Sequence, residues 1–299
     1  MRATSASRRM LYGGLILLEC LLWGLGNPLI KIGGQGIAPF SSIALRFSLA
    51  FLAFVLVFGR RVWRGLRGVR PGPCLAVCVF TALSFTLSSL ALMYTQANIA
   101  GFLMGVAVLF SPFLDPIILR TRFQWKILPV IAVVCVGMYL LCGGSDGFVF
   151  GLGEILALLC SLCFAIMLAL SEKYVSQVDP IALSTIQCGA AAILCIACMF
   201  LFEGGLDLQA LSNRKALGAV VYVALGGTCA AYVLQNVAMH HISATFAALA
   251  FCTEPVFTAL FAYLLLGETL SAQGFVGAGI VLAGVMAASV WPAERSRKA

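Results

Sequence analysis

Charge is what this 299-residue chain has least of: Asp, Glu, Lys and Arg together make up 10% of it, and only two residues are histidine. A water-facing globular domain carries roughly a quarter of its residues as charges, so composition excludes an ordinary soluble fold. Self-contained chemical motifs are missing as well. The chain holds no G-x-x-x-x-G-K-[ST] cradle for a nucleotide, no H-E-x-x-H for zinc and no G-x-S-x-G nucleophile. No cofactor and no metal ion is therefore expected, and enzyme activity is not the first expectation. Polar stretches long enough to form a separate soluble domain are absent too.

Apolar residues fill the space instead, at 62% of the chain. A helix needs roughly 20 mainly apolar residues to cross the hydrocarbon core, and runs of that kind recur almost to the C-terminus. They predict spans over 10–32, 38–58, 74–94, 97–119, 124–142, 150–172, 180–202, 216–238, 242–266 and 271–291. The fold class is all-α integral membrane protein with about ten transmembrane helices. Arg8-Arg9 ahead of the first run resembles the start of a signal peptide, but no small-x-small cleavage site follows, and the segment reads as a retained span.

The net charge of +8 comes from basic residues gathered on alternate loops. Arg2, Arg8 and Arg9 precede the first span, Arg60, Arg61, Arg64, Arg67 and Arg70 follow the second, and Arg120, Arg122 and Lys126 follow the fourth. With Lys173, Arg295, Arg297 and Lys298, fifteen of the nineteen fall on one side, against Arg214 and Lys215 on the other. The positive-inside rule then puts both termini in the cytoplasm of a cell whose cytoplasmic membrane the chain crosses. The same bias accounts for the charge without nucleic acid as a partner. Twelve cysteines lie mostly within spans, where Cys acts as a small apolar residue; the pairs Cys160/Cys163 and Cys195/Cys198 match C-x-x-C but have no histidine nearby to complete a metal site.

A weak self-similarity runs at about 141–143 residues, setting Leu22-Trp23-Gly24 opposite Cys163-Phe164-Ala165, Arg46 opposite Gln187, and Ser111-Pro112 opposite Glu254-Pro255. Each half then holds five helices, and an odd number makes the second half enter the membrane from the opposite side. The expected organisation is a cytoplasmic N-terminus (1–9), two inverted five-helix repeats (10–142 and 150–291) and a cytoplasmic tail (292–299).

Polar residues inside spans are costly in lipid and normally face a bundle interior or a wet cavity. Tyr12, Glu19, Trp23, Asn27 and Lys31 fall on one stripe of the first helix, and Pro28 should kink it beside Asn27 by removing the bond to Gly24. Thr81, Ser84, Ser88 and Thr95 share a face of the third, with back-bonding to their own helix as the alternative use of the hydroxyls. In the eighth, Thr228, Tyr232 and Gln235 lie at i, i+4 and i+7, with Asn236 beside them. A substrate cavity is accordingly expected from Glu19, Trp23, Asn27, Ser84, Ser88, Tyr232, Gln235 and Asn236. Gating or coupling falls to Pro28, to Pro112 and Asp115 in the fourth span, and to Glu254 and Pro255 in the ninth, because proline frees carbonyls and an intramembrane carboxylate must be protonated, paired or hydrated. Arg46 is the candidate for a structural ion pair, with snorkelling to an interface or substrate contact as the alternatives.

Leu22-Trp23-Gly24 with Asn27, Leu45-Arg46-Phe47, and above all Glu254-Pro255-Val256-Phe257 running through Leu264-Leu265-Leu266-Gly267-Glu268 resemble the EamA-like members of the drug/metabolite transporter superfamily. The resemblance covers nearly the whole chain. It implies ten helices in two inverted repeats, a central cavity from the first four helices of each half, and secondary transport, often export of amino acids or related metabolites. After the fourth helix the family often shows Gly-Glu, where this chain has Leu119-Arg120-Thr121-Arg122. The expected function is a transporter, not driven by ATP, that exports a small amphipathic metabolite by alternating access. Its partners would be the solute, the lipid bilayer and, as a coupling ion, protons, with the chain acting as a monomer or weak homodimer. The rival readings are an intramembrane enzyme using Asp115 and Glu254, and a non-transporting receptor or channel.

Overall fold

A computed structural model describes residues 5–33, 37–67, 69, 71–95, 97–141, 151–207, 212–267 and 271–290. The expectations for Arg2, Arg70, Glu268 and the tail 292–299 lie outside the described residues, as does the join between the two expected repeats. The apolar segments fold as helices. They are α1 (Ser5–Gly33), α2 (Pro39–Leu66), α3 (Pro71–Tyr94), α4 (Ala97–Gly105), α5 (Ala107–Ile118), α6 (Leu128–Leu141), α7 (Leu152–Tyr174) and α8 (Pro180–Glu203). The eighth span is α9 (Arg214–Ala224), a π-helical turn (Leu225–Ala230) and α10 (Ala231–Met239); the ninth is α11 (Ala244–Phe251) with α12 (Glu254–Leu266), and α13 (Ala272–Val290) is the tenth. Among the described residues eight segments are long and apolar enough to cross a membrane, and Trp125–Leu141 and Ala272–Ala288 are shorter apolar helices. Large apolar side chains such as Leu56, Ile117, Ile193 and Leu201 point outward, which suits lipid as the solvent.

Local chemistry sets where these helices start. Proline opens α2, α3 and α8, where its missing N–H is no loss. Asp179 accepts from the backbone of Ile181 and Ala182 at 3.0 and 3.2 Å, and Ser243 caps α11 through the N–H of Phe246 at 3.3 Å. Pro255 cannot donate to Phe251, and the ninth span breaks there, between α11 and α12. The fourth span behaves differently from expectation. Pro112 and Pro116 sit inside α5, and the break falls upstream at Val106, where the tighter Leu109-to-Val106 bond of 2.8 Å takes over. Pro28 likewise lies inside α1, which continues through it.

The helices pair in a pattern that maps onto itself when the halves are exchanged. Span two packs on span seven (α2 on α8) and span five on span ten (α6 on α13). Span three packs on span six (α3 on α7), as span eight packs on span one; span four packs on six (α5 on α7), as nine packs on one (α12 on α1). Glycine lets helices meet backbone to backbone, as two contacts show. A Cβ at Gly277 would meet the carbonyl oxygen of Gly137, so α13 lies directly on the α6 backbone, and a Cβ at Gly24 would meet Phe257 and the Thr258 nitrogen, so α1 lies on α12.

Helix ends are tied across the repeats. Glu203 at the end of α8 accepts from the backbone N–H groups of Phe40 and Ser41 at 2.6 and 2.8 Å and from the Ser41 hydroxyl at 2.7 Å, capping α2 from another helix. At the opposite end of the same pair Arg61 meets Asp179 at 3.0 Å. Inside the second half, Glu172 on α7 accepts from the Ala244 N–H at 2.6 Å at the start of α11.

Candidate functional site

The polar stripe of α1 faces the second half of the chain. Glu19, fully buried, has no hydrogen-bond partner on either carboxylate oxygen among the described residues, and it lies within electrostatic reach of Glu254. One turn on, the Trp23 indole N–H donates to the Gly227 carbonyl at 2.6 Å. One further turn on, the Asn27 amide donates to Glu254 Oε1 at 3.2 Å and to Thr258 Oγ1 at 3.0 Å. Helical periodicity thus carries three residues of one stripe onto spans eight and nine.

Gly227 is available because its segment is π-helical. The wider turn leaves carbonyls without the usual i+4 donor, and Gly227 takes two side-chain donors from outside, Trp23 and the Arg46 Nη2 at 3.0 Å. Arg46 Nε donates to Thr228 Oγ1 at 2.6 Å, while the guanidinium lies 5.3 and 5.4 Å from the ring centroids of Phe47 and Phe85. The ion pair expected of Arg46 is corrected here. Among the described residues its hydrogen bonds go to a hydroxyl and a carbonyl, with no carboxylate within salt-bridge distance, because the π turn supplies acceptors and the rings supply π faces. Its repeat counterpart Gln187 donates to Thr81 Oγ1 at 2.9 Å, so each takes a hydroxyl, from the eighth helix in one case and the third in the other.

Tyr232, Gln235 and Asn236 are fully buried. Tyr232 lies against both Phe47 and Phe85, at 6.5 and 6.3 Å, and its hydroxyl has no partner among the described residues. Gln235 reaches the Met167 sulfur at 3.5 Å, and Asn236 donates to Ser184 and to Gln187, both at 2.9 Å; the side-chain oxygens of both amides have no partner among the described residues. Above Glu19, Trp23 is stacked on Phe251 at 5.3 Å, with Phe164 edge-on to Phe251 at 5.4 Å.

Two of the expected cavity residues go elsewhere. Ser84 donates to the Thr81 carbonyl of its own helix, and its own carbonyl accepts from Cys160 at 3.1 Å; Ser88 meets the Met104 sulfur at 3.4 Å. Their hydroxyls are spent on helix bonding and on the α3–α4 contact, the alternative that spacing left open. Asp115, nearly buried on α5, accepts from Thr245 on α11, and so joins spans four and nine at a place apart from the Asn27–Glu254 bond. Pro255 opens α12 directly after Glu254. Sequence reasoning missed Gly227, Thr258, Phe251 and Phe164. The Gly226-Gly227 pair inside an apolar span was the only signal for the first, and Phe164 was visible only as the repeat counterpart of Trp23.

A sequence model described as the EamA-like transporter family matches residues 11–143 and again residues 151–290. An uncharacterized transporter of Archaeoglobus fulgidus is 27% identical over 94% of this chain and 87% of its own length. The uncharacterized transporter YwfM of Bacillus subtilis is 23% identical over 95% and 96%. A solved crystal structure shares the fold, with a TM-score of 0.79 and 18% identity over 93% of this chain and 96% of its own.

Proposed function

Because the chain belongs to the EamA-like transporter family and crosses a membrane with multiple helices, we propose that it is a secondary transporter for a small amphipathic solute, an amino acid or close relative, held between its two halves. One observation carries the reading: polar atoms of Glu19, Tyr232, Gln235 and Asn236 are fully buried, yet find no partner among the described residues. Leaving such groups unsatisfied costs about 1–3 kcal/mol each, so a solute, water or a proton completes them during the working cycle. The flanking rings of Trp23, Phe251, Phe47 and Phe85 give an apolar body somewhere to lie.

The same layout supports alternating access. The solute sits near the middle of spans one, two, eight and nine, and the contact of α1 with α12 through Asn27 and Glu254 opens and closes one side of it. Asp115, Pro112, Pro28 and Pro255 belong to the elements that move. Both termini lie in the cytoplasm, and flux runs outward.

The test is a panel of amino acids and related metabolites screened for counterflow in vesicles holding the purified protein. Protein-dependent counterflow of at least one is expected, with a cysteine at Asn27 or Tyr232, in a background free of native cysteines, protected from a water-soluble thiol reagent by that solute. Absence of counterflow for the whole panel, together with inertness of both cysteines, overturns the reading.

A further inference from the structure

Among the described residues Glu19 is a carboxylate without a cation partner. It is fully buried, both oxygens lack a partner among the described residues, and the charge that acts on it is another carboxylate, Glu254. The cation in the neighbourhood is committed elsewhere: Arg46 is bonded to Thr228 and Gly227, and of the two acids it reaches Glu254 and not Glu19. Nor does packing call for an acid. The counterpart of Glu19 in the second half is Cys160, which closes its helix contact by donating to the Ser84 carbonyl at 3.1 Å. Cys20, next to Glu19, donates to the Ala250 carbonyl at 3.6 Å.

Two further features point to what the carboxylate meets. Trp23, one turn away on the same face, forms with Phe251 and Phe164 a group of three rings whose centroids are 5.3 to 6.4 Å apart. Ring faces attract a desolvated cation. Tyr232, whose buried hydroxyl is also without a partner among the described residues, lies within electrostatic reach of Glu19 and offers a lone pair to an N–H donor. A metal ion asks for more ligands than this. No group of three or more His, Cys, Asp or Glu stands together among the described residues, and rings are poor ligands for a hard ion.

Resting on the transporter reading above, we infer that the solute carries a protonated amine and that Glu19 is its counter-charge, the ammonium lying among Glu19, the Tyr232 hydroxyl and the rings of Trp23 and Phe251. Selection is then for primary or secondary ammonium compounds over uncharged analogues of the same shape. The second half, lacking the acid, contributes rings and amides, so the site is asymmetric although the fold is not.

The test uses the full chain in detergent, with phenethylamine, tyramine and cadaverine as probes, each set against its N-acetylated, uncharged counterpart. In the wild type the amines should bind about tenfold more tightly than the counterparts, the size of one modest charge interaction. In Glu19→Gln the preference should vanish, and in Glu19→Asp it should be retained in part. A wild type without preference for the amines, or a monodisperse Glu19→Gln that keeps it, overturns the inference; if the Gln variant fails to fold, the wild-type comparison still decides. Vesicle uptake separates the two readings. Uptake of neutral or anionic solutes that amines neither compete with nor follow overturns the ammonium site and leaves transport standing. Amine binding without uptake of any solute overturns transport and leaves the site standing.

Discussion

Trp23 and Phe164 occupy matching positions in the two halves of the chain, and their rings meet, centroid to centroid, at 6.4 Å. Residues related by an inverted repeat come together only near the axis that relates the repeats, so this pair marks the centre of the molecule. Phe251 lies against both rings. The equivalence is broken by chemistry: Trp23 donates to the Gly227 carbonyl, and phenylalanine has nothing to donate.

Gly24 tests how far the close approach of α1 and α12 matters. A Cβ there would stand 2.5 Å from the Phe257 Cβ and 2.9 Å from backbone atoms of Phe257 and Thr258. Backbone cannot turn aside as a side-chain tip can, so Gly24→Ala has to push the helices apart. The expected cost is about 1–3 kcal/mol, read as a lower unfolding temperature in detergent, with a cysteine at Thr258 reacting faster than in the parent. An unchanged unfolding temperature would remove the contact from the account.

The two ties on the α2–α8 pair should differ in worth. Arg61 and Asp179 have side chains 54% and 24% exposed, so breaking the pair with Arg61→Ala should cost less than about 1 kcal/mol. Glu203 accepts from two backbone N–H groups and one hydroxyl, which Glu203→Ala leaves without their acceptor at a helix start. That loss should reach about 1–2 kcal/mol. Thermal unfolding of both variants checks the ranking, and a larger effect at Arg61 would reverse it.

His240, in the turn between spans eight and nine, is held below the ordinary histidine range, first by burial and then by His241, with Asp179 acting the other way. As pH falls, the unfolded chain therefore takes up this proton before the folded one does. The stability linked to His240 is complete above the unfolded value of about 6.5 and is lost as pH drops from there towards the folded value. The unfolding temperature should fall between about pH 7.5 and pH 5.5, and less so in His240→Asn. The same fall in both proteins would exclude His240 as its source.

Much of this was legible in the sequence because membrane helices announce themselves by length and apolarity. The stripe of Glu19, Trp23 and Asn27 was legible because 3.6-residue periodicity survives burial. What those side chains bond to was not. The π turn at Leu225–Ala230 has the composition of ordinary helix, so the acceptor that takes Arg46 and Trp23 could not be foreseen, and Arg46 reads from sequence only as a candidate for an ion pair. Ser84 and Ser88 show the limit of spacing, since a hydroxyl bonded to its own helix and one lining a cavity repeat at the same period. Phe164 and Phe251 carry no polar atom, and nothing in their own neighbourhood of sequence sets them apart from packing.

Glu254 is where the expected coupling role can be decided. Its carboxylate accepts from Asn27, and Arg46 acts on it electrostatically from the second span, so it is tied to the first half by one hydrogen bond and one longer-range attraction. It also opens α12, directly after the break that Pro255 makes in the ninth span. In the proposed alternating access α12 swings away from α1 and the Asn27 bond is lost, and a carboxylate in that position must then find water, a proton or a solute cation. A carboxyl that exchanges its proton in one arrangement and not the other links proton movement to the swing. Glu254→Gln keeps the shape and the bond to Asn27 while removing the titration, so the variant should unfold near the wild-type temperature. Transport in vesicles should change with pH in the wild type and become flat in the variant. A variant whose transport follows the wild-type pH profile would exclude Glu254 as the coupling group, and one that loses stability along with transport would assign the carboxylate to the α1–α12 contact alone.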